Sequence, residues 1–370
     1  MMQFLFFGIS ITVLFAGHGA FWYFFVRFFH ITSNYGKVMV AIILFGLFFN
    51  SIVSSYIINR WENIFTRIYY TFSALWIGLA FNLCLMAAII AIIKIASSFS
   101  PWPASDLFLK IIFLAGAIIW SLFGVYRAFY PKISDYEVFI KNLPAEWEGK
   151  TIVQLSDLHL GPIYRQAFFD RISKTVSDMR PAAIFITGDL FDGTEAEFSW
   201  LDQSLASLKA PLGTYYGFGN HDLYLGFNRV IDQLKDSQIK ILDNSLVEVS
   251  GLQIIGINYS FNSDFNLEEA ILKQVGYESE KPSILLLHAP KNIPLAKKSG
   301  IDLQLSGHTH DGQLWPFNYL VSWAHHGYGY GFFQEGDFSL VVNSGVGSWG
   351  PPMRTTARSE IVRIILRKKI

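Results

Sequence analysis

Long apolar runs occupy the first third of the chain. Four of them reach the length of roughly 20 apolar residues that a helix needs to cross the hydrocarbon layer of a membrane. They span residues 4–26, 38–58, 68–93 and 107–128. Polar residues fall in the breaks, and tryptophan and tyrosine collect near the run ends, as they do at membrane interfaces. The pattern predicts an all-α bundle of about four transmembrane helices over residues 1–130.

The basic residues beside the spans differ little between the two faces of the membrane. An even number of crossings places both chain ends on one side. Basic residues continue past the last span, from Lys132 to Lys141, and basic residues next to a span favour the cytoplasmic face. We therefore expect an integral multi-pass protein of the cell membrane with its C-terminal domain in the cytoplasm.

The pattern changes after residue 130. Residues 131–149 are predicted to be a linker, with Pro144 and Gly149 as breaks. From residue 150 onward, short apolar runs of strand length alternate with amphipathic stretches of helical period. The strand-like runs cover residues 151–155, 183–187, 215–218, 284–287, 303–305, 338–343 and 360–366, with several more between 239 and 257. The helix-like stretches cover residues 168–179, 198–208, 228–236, 267–275 and 293–298. This order favours an α/β domain of two packed sheets with helices outside, over residues 150–370.

Composition narrows the functional classes. The 370 residues are 52% hydrophobic and carry a formal net charge of zero, so a broad nucleic-acid-binding surface is not expected. Cys84 is the only cysteine, which excludes an intrachain disulfide.

Five short clusters of potential metal ligands follow the apolar runs of the C-terminal domain. They are Asp157-x-His159, Gly188-Asp189, Gly219-Asn220-His221-Asp222, His288 and Gly307-His308-x-His310. Side chains at the carboxyl ends of neighbouring strands converge on one edge of an α/β sheet. The two i, i+2 spacings place both members of a pair on the same side of an extended loop. We therefore expect these clusters to form one site.

Such a set of carboxylates, imidazoles and an amide suits two divalent cations roughly 3.5–4 Å apart, which can clamp the oxygens of an in-line displacement at phosphorus. Asp189 is the expected bridge between the ions. Asp157, His159 and His310 are expected to complete one coordination shell, and Asn220, His288 and His308 the other. A hydroxide between the ions is the expected nucleophile.

The remaining two polar residues of the third cluster are candidate catalytic groups. His221 is expected to protonate the departing oxygen or to stabilise the charge that develops on it. Asp222 is expected to hold that imidazole in its useful tautomer.

In this order and with these gaps, the five motifs resemble those of the calcineurin-like metallophosphoesterase superfamily over residues 150–370. The later residues 308–313, Gly345-Val346-Gly347 and Pro351-Pro352-x-Arg354 resemble more narrowly a branch of membrane-attached bacterial enzymes. The resemblance implies a four-layer αββα sandwich, a dinuclear centre of Mn, Fe or Zn, and hydrolysis of phosphomonoesters, phosphodiesters or pyrophosphates. Two positions depart from the pattern. Gly193 stands where many members have arginine, so Arg165 or Arg354 is expected to bind the phosphate. Asp311 stands where relatives often have glycine.

Two further features have more than one interpretation. Asp192 is expected either to orient a metal-binding histidine or to cap the next segment. The aromatic stretch 315–333 is expected to be either a buried flap or an amphipathic lip that contacts the bilayer.

The predicted partners are the bilayer and a phosphorylated substrate. A membrane-anchored phosphohydrolase of a lipid-linked phosphoester or pyrophosphate is the leading hypothesis. The alternative is a transporter or receptor that carries a regulatory phosphoesterase domain, although the spans lack paired charges.

Overall fold

The computed structural model of the protein describes residues 2–99, 105–192, 198–260 and 265–369, and these fall into two compact units. One unit comprises Met1–Tyr126 and Gly350–Met353, and the other comprises Arg127–Trp349 and Arg354–Ile370. We refer to them as the helical unit and the catalytic unit.

Four long helices form the helical unit, and each contains one of the predicted spans. They are α1 (Met2–Phe28), α2 (Asn34–Ile58), α3 (Ile64–Ser97) and α4 (Asp106–Phe129), the last of which continues into the catalytic unit. The α2 helix starts where Ser33 Oγ accepts a hydrogen bond from the backbone N–H of Gly36. No more than 33% of any apolar window is buried, so most of this apolar surface faces outward, as it does in helices surrounded by lipid. The four predicted apolar helices are present, and each is long and apolar enough to cross a membrane.

Two six-stranded mixed sheets form the centre of the catalytic unit. Its strands are β1 (Lys132–Ile140), β2 (Thr151–Leu155), β3 (Ala183–Thr187), β4 (Thr214–Gly217), β5 (Ile239–Ile241), β6 (Ser245–Val249), β7 (Leu252–Ile257), β8 (Ser283–Leu287), β9 (Leu303–Ser306), β10 (Gly331–Glu335), β11 (Phe338–Val342) and β12 (Glu360–Lys368). The first sheet has the order β1-β12-β2-β3-β4-β5 and the second β10-β11-β9-β8-β7-β6. Strands β2 to β5 run parallel in the first sheet, as do β7, β8, β9 and β11 in the second.

The catalytic unit also contains helices. They are α5 (Gln166–Asp178), α6 (Asp202–Leu205), α7 (Asn220–Leu225), α8 (Phe227–Leu234), α9 (Phe265–Gln274), α10 (Ile293–Lys298) and α11 (Phe317–Ala324), with 3₁₀ turns at Ser199–Leu201 and His310–Gly312. One apolar cluster fills the space between the sheets, where Phe185 of β3 packs near Leu286 of β8. A second lies between the first sheet and α5, α6 and α8, and a third between the second sheet and α9 and α10. The αββα prediction is confirmed.

Several predicted elements differ from those in the structure. The linker prediction for residues 131–149 is wrong for its first half, because Lys132–Ile140 is an edge strand paired in parallel with β12. The predicted helix over residues 198–208 is a 3₁₀ turn followed by the four residues of α6. Helices α7 and α11 and strand β10 were not predicted.

Candidate metal centre

The seven predicted metal ligands follow the carboxyl ends of five strands. In the first sheet, β2 leads to Asp157 and His159, β3 to Asp189, and β4 to Asn220, the first residue of α7. In the second sheet, β8 leads to His288, and β9 leads to His308 and His310. Because these strands are parallel within each sheet, their ends meet at one edge of the sandwich.

The ligand atoms converge into three overlapping groups, in each of which all atoms lie within 4.8 Å of one another. The groups are Asp157 with His159 and His310, His159 with Asp189 and His221, and Asp189 with His288 and His308. Asp189 belongs to two groups. Its Oδ2 lies 3.1 Å from His288 Nε2, and Asp157 Oδ1 lies 3.2 Å from His310 Nε2. This overlap is the arrangement that a carboxylate shared by two ions requires.

Backbone conformation brings these side chains together. Asp157, His159, Asp189, His308 and His310 all have positive φ angles between 48° and 71°, a region that non-glycine residues seldom adopt. The neighbouring glycines permit close approach. A Cβ atom on Gly219 would lie 2.1 Å from Asp189 Oδ1, and one on Gly307 would lie 2.3 Å from Asp157 Oδ2. The Gly-Asn-His and Gly-His motifs therefore need glycine because the ligand loops are in direct contact.

Unpaired buried acceptors show that the donor set fits metal ions. The Oδ1 atoms of Asp157 and Asn220 are buried and have no hydrogen-bond partner among the described residues. The 3.2 Å contact between Asp157 Oδ1 and His310 lacks hydrogen-bond alignment. An unpaired buried oxygen is unfavourable unless a cation coordinates it. Seven oxygen and nitrogen donors in this geometry are suited to two divalent ions.

Burial sets the protonation state of most of the imidazoles. It lowers the pKa of His308 to about 3 and that of His310 to about 4, and it also lowers the pKa of His159. These rings are therefore neutral at pH 7, which is the form that binds a metal.

His288 differs from the other three histidines. Burial opposes its charge, but the Asp189 and Asp157 carboxylates outweigh that effect and raise its pKa to about 10. Its Nδ1 lies 2.7 Å from the carbonyl oxygen of Thr187, to which it donates, so Nε2 faces the centre. Binding of an ion at Nε2 therefore displaces a proton.

A hydroxyl that the sequence reasoning missed orients Asp157. Ser156 Oγ donates to Asp157 Oδ2 at 2.6 Å, and the backbone N–H of His308 donates to the same oxygen at 3.0 Å. The other carboxylate oxygen is left for an ion. The only signal in the sequence was the serine directly before the aspartate.

His221 belongs to the second ligand group, with His159 and Asp189. Its backbone N–H donates to Asp189 Oδ1 at 2.8 Å, and its Nδ1 lies 2.8 Å from the carbonyl oxygen of Asp192. Because a carbonyl can only accept, Nδ1 carries the proton and Nε2 is the nitrogen left to act. The ring centroid lies 4.8 Å from that of His159.

Asp192 contacts a predicted ligand as well as His221. Its Oδ1 lies 3.5 Å from His159 Nδ1. Burial raises the pKa of Asp192 to about 7. Of the two interpretations of Asp192, the contact favours orientation of a metal-binding histidine.

The predicted role of Asp222 is wrong. Its Oδ2 accepts hydrogen bonds from the backbone N–H groups of Asp189 and Gly219 at 2.7 and 2.8 Å, and its Oδ1 accepts one from Phe191 at 3.2 Å. The partner of His221 Nδ1 is the Asp192 carbonyl instead. Asp222 is fully buried and fastens the loop that carries Asp189 to the start of α7.

The prediction that Arg354 binds phosphate is also wrong. The side chain is 0% exposed, and its Nε donates to the carbonyl oxygen of Gly347 at 3.0 Å. Its Nη2 lies 2.7 Å from His310 Nδ1. All of these contacts are inside the protein, so Arg354 holds the His310 ring in place.

Replacing Arg354 by lysine is expected to weaken metal binding by about 10- to 100-fold, the usual effect of losing a group that orients a ligand. Lysine keeps the charge but lacks the fork that contacts Gly347 and His310 together. Metal titration of the full chain, read by activity and by bound metal, measures the effect. If the variant instead had an unchanged metal affinity and a raised KM for the phosphate substrate at saturating metal, Arg354 would be a substrate-binding residue. Arg358→Lys is the matched control.

The other predicted phosphate contact is half-buried. Arg165 precedes α5, and its guanidinium lies 4.9 Å from the centre of the Trp200 ring. Its substrate-binding role stays a prediction. Gly193 lies outside the described residues. Asp311 Oδ2 accepts a hydrogen bond from the backbone N–H of Ala357 at 2.9 Å, so this carboxylate fastens the loop after His310.

Comparisons with known proteins agree with this geometry. The family model for calcineurin-like phosphoesterases matches residues 150–312. An uncharacterized metallophosphoesterase of Campylobacter jejuni is 35% identical over 71% of this chain and 72% of its own. One from Helicobacter pylori strain J99 is 34% identical over 70% of this chain and 71% of its own. A transmembrane protein with a metallophosphoesterase domain from Danio rerio is 30% identical over 68% of this chain and 61% of its own.

The two bacterial relatives match most of their own length, and the residues matched by the family model include all seven predicted ligands. The sandwich, the ligand loops and the four apolar helices are all present in one chain. The chain belongs to the calcineurin-like metallophosphoesterase family.

Proposed function

We propose that the protein is a membrane-anchored dinuclear-metal hydrolase that cleaves a phosphoester or pyrophosphate bond in a lipid-linked substrate. The observation that carries the proposal is the convergence of six predicted carboxylate and imidazole ligands in overlapping groups, together with unpaired buried oxygens on Asp157 and Asn220. Two divalent ions such as Mn, Fe or Zn would supply Lewis acidity there and would activate water at neutral pH.

The residues of the chain have separate roles in this proposal. Asp189 would be a ligand to both ions, because it belongs to two of the ligand groups. His221 donates from Nε2 to the departing oxygen, while the Asp192 carbonyl fixes its tautomer through Nδ1. The buried walls of the site exclude bulk water and so strengthen each of these interactions.

Two features favour a lipid-linked substrate. Strand β1 begins at Lys132, three residues after the end of α4, so only a short connection separates the last span from the first strand. Exposed aromatic residues also stand beside His221: its ring centroid lies 5.2 Å from that of Tyr224 and 6.0 Å from that of Trp349. Such rings suit the apolar part of an amphiphile. The cytoplasmic orientation stays a prediction from the basic residues after the last span.

The test compares one headgroup in two forms. The full chain in mixed micelles with Mn²⁺ is given a phospholipid or lipid pyrophosphate, and separately the water-soluble phosphate of the same headgroup. We expect kcat/KM to be at least about tenfold higher for the lipid form, since apolar contacts add binding free energy. Equal values for both forms would remove the lipid part of the proposal. Inactivity on every phosphoester with every divalent ion would remove all of it.

A further inference from the structure

We infer that helix α11 is a membrane-contact surface, which lies in the bilayer interface and places the metal site at the level of the lipid headgroups. The inference depends on membrane anchoring by the four helices and not on hydrolysis. We define the α11 surface as Trp315, Phe317, Tyr319, Leu320 and Trp323.

The first observation is exposure. None of the eight residues of α11 is buried, and Tyr319, Leu320 and Trp323 are 67, 57 and 77% exposed. After residue 130, ten large hydrophobic residues are exposed among the described residues, and the α11 surface provides five of them. A concentration of apolar side chains in nine residues marks an interaction surface, because soluble surfaces scatter such residues singly.

The second observation is composition. No aspartate, glutamate, lysine or arginine occurs between Asp311 and Glu335, a stretch that contains two of the ten tryptophans. Trp323 is a helix-surface neighbour of both Tyr319 and Leu320, because it follows them by four and three residues. Tryptophan and tyrosine prefer the zone where lipid headgroups meet the hydrocarbon, since their rings are apolar and their N–H or O–H groups are polar.

The third observation is the position of the segment within the catalytic unit. Lys132, three residues beyond the end of α4, donates from Nζ to the hydroxyl of Tyr330 at 3.0 Å. Three extended residues span at most about 10 Å. The segment after α11 therefore packs on the chain just where it leaves the last span. This makes the bilayer, and not a second copy or another protein, the occupant that the structure favours.

The α11 surface is also joined to the metal centre. His310 lies six residues before Pro316 in the sequence. A Cβ atom on Gly312 would lie 2.4 Å from the backbone of Phe317, so the loop that carries His310 is in contact with the start of α11. Thr309 Oγ1 donates to the carbonyl oxygen of Gly329 at 2.6 Å, so the segment that follows α11 is also bonded to the ligand loop. A helix held this way cannot enter the interface without taking the ligand loop to the same depth.

A spin label measures the depth directly. In a Cys84→Ala background, the full chain with Trp323→Cys is labelled and placed in lipid nanodiscs, with Lys174→Cys on exposed α5 as the reference. We expect the label at 323 to collide more often with oxygen than with a water-soluble nickel chelate, and the label at 174 to show the reverse. Nickel access at 323 equal to that at 174 would overturn the inference. So would spin–spin broadening at 323, which would indicate a second copy.

Activity gives a second test that separates docking from catalysis. The variant Tyr319→Ser with Leu320→Ser and Trp323→Ser changes only exposed side chains, for which stability effects are small. We expect about a tenfold higher KM for a phosphate substrate in vesicles and unchanged kcat/KM for a soluble aryl phosphate, because interfacial binding scales with apolar area. Leu267→Ser on exposed α9 is the control. An unchanged KM in vesicles would overturn the inference while leaving the proposed function intact.

Discussion

Replacing Asp189 by asparagine is expected to lower phosphoester hydrolysis by at least about 10³-fold, the scale seen when a single charge-stabilising group is removed from an active site. Asp189 is the only carboxylate that belongs to two of the three ligand groups. Asparagine keeps an oxygen for the backbone N–H of His221 but has no charge and one fewer oxygen ligand. The two ions can then no longer share one residue.

Metal content distinguishes this explanation from misfolding. We expect bound metal to fall from two ions per chain to one or fewer, while the melting temperature of the metal-free protein changes by no more than about 4 °C, or roughly 1 kcal/mol for a unit of this size. Asp178→Asn, an exposed site on α5, is the control and should retain both ions. Full metal occupancy in the Asp189 variant would contradict the shared-ligand role.

The parts of the fold that were predicted correctly are those with a strong hydrophobic pattern. The spans follow from run length alone. Strands β3 and β8 are nearly continuous apolar runs, because every residue in them is buried. Strand β1 was missed because it is an edge strand with exposed charges. Its Asp135 and Glu137 pair with Arg363 and Arg367 of β12, and only that pairing reveals the strand.

Helix α11 was missed for a different physical reason. Its only polar residues are Asn318 and Ser322, which carry no charge, so the alternation by which an amphipathic helix is recognised is weak. The buried-flap interpretation of residues 315–333 is wrong for α11, whose side chains are exposed.

Within the site, residue types predicted the ligands but not the residues that hold them. Once five motifs occur in order, metal binding is the simplest explanation for Asp157, Asp189 and the histidines. Asp222 bonds to the backbone of Phe191, and Arg354 contacts His310, and both partners are distant in sequence. These contacts follow from the loop conformations and not from spacing. Adjacency to His221 suggested the wrong partner for Asp222, because successive residues of a helix point in different directions.

Replacing His221 by alanine is expected to lower kcat by about 10²- to 10⁴-fold, the usual contribution of a general acid, with both ions retained. The reason is geometric: Nδ1 is occupied by the Asp192 carbonyl, so Nε2 is the nitrogen available for the departing oxygen. The backbone N–H to Asp189 Oδ1 is unaffected by the substitution. Measurement of kcat together with bound metal checks the prediction.

Leaving-group dependence gives the sharper form of the same prediction. A group that protonates the departing oxygen matters most when that oxygen is a poor leaving group. The decrease in kcat on replacing His221 should therefore be much larger for an alkyl phosphoester than for a p-nitrophenyl phosphoester. Tyr224→Phe, which keeps the ring beside His221, is the matched control and should show no such difference. His221 also lies within 4.8 Å of ligand atoms of His159 and Asp189, so it could instead coordinate an ion. A variant that loses one ion and slows equally on both substrates would assign His221 to the metal and remove the proton donor from the mechanism.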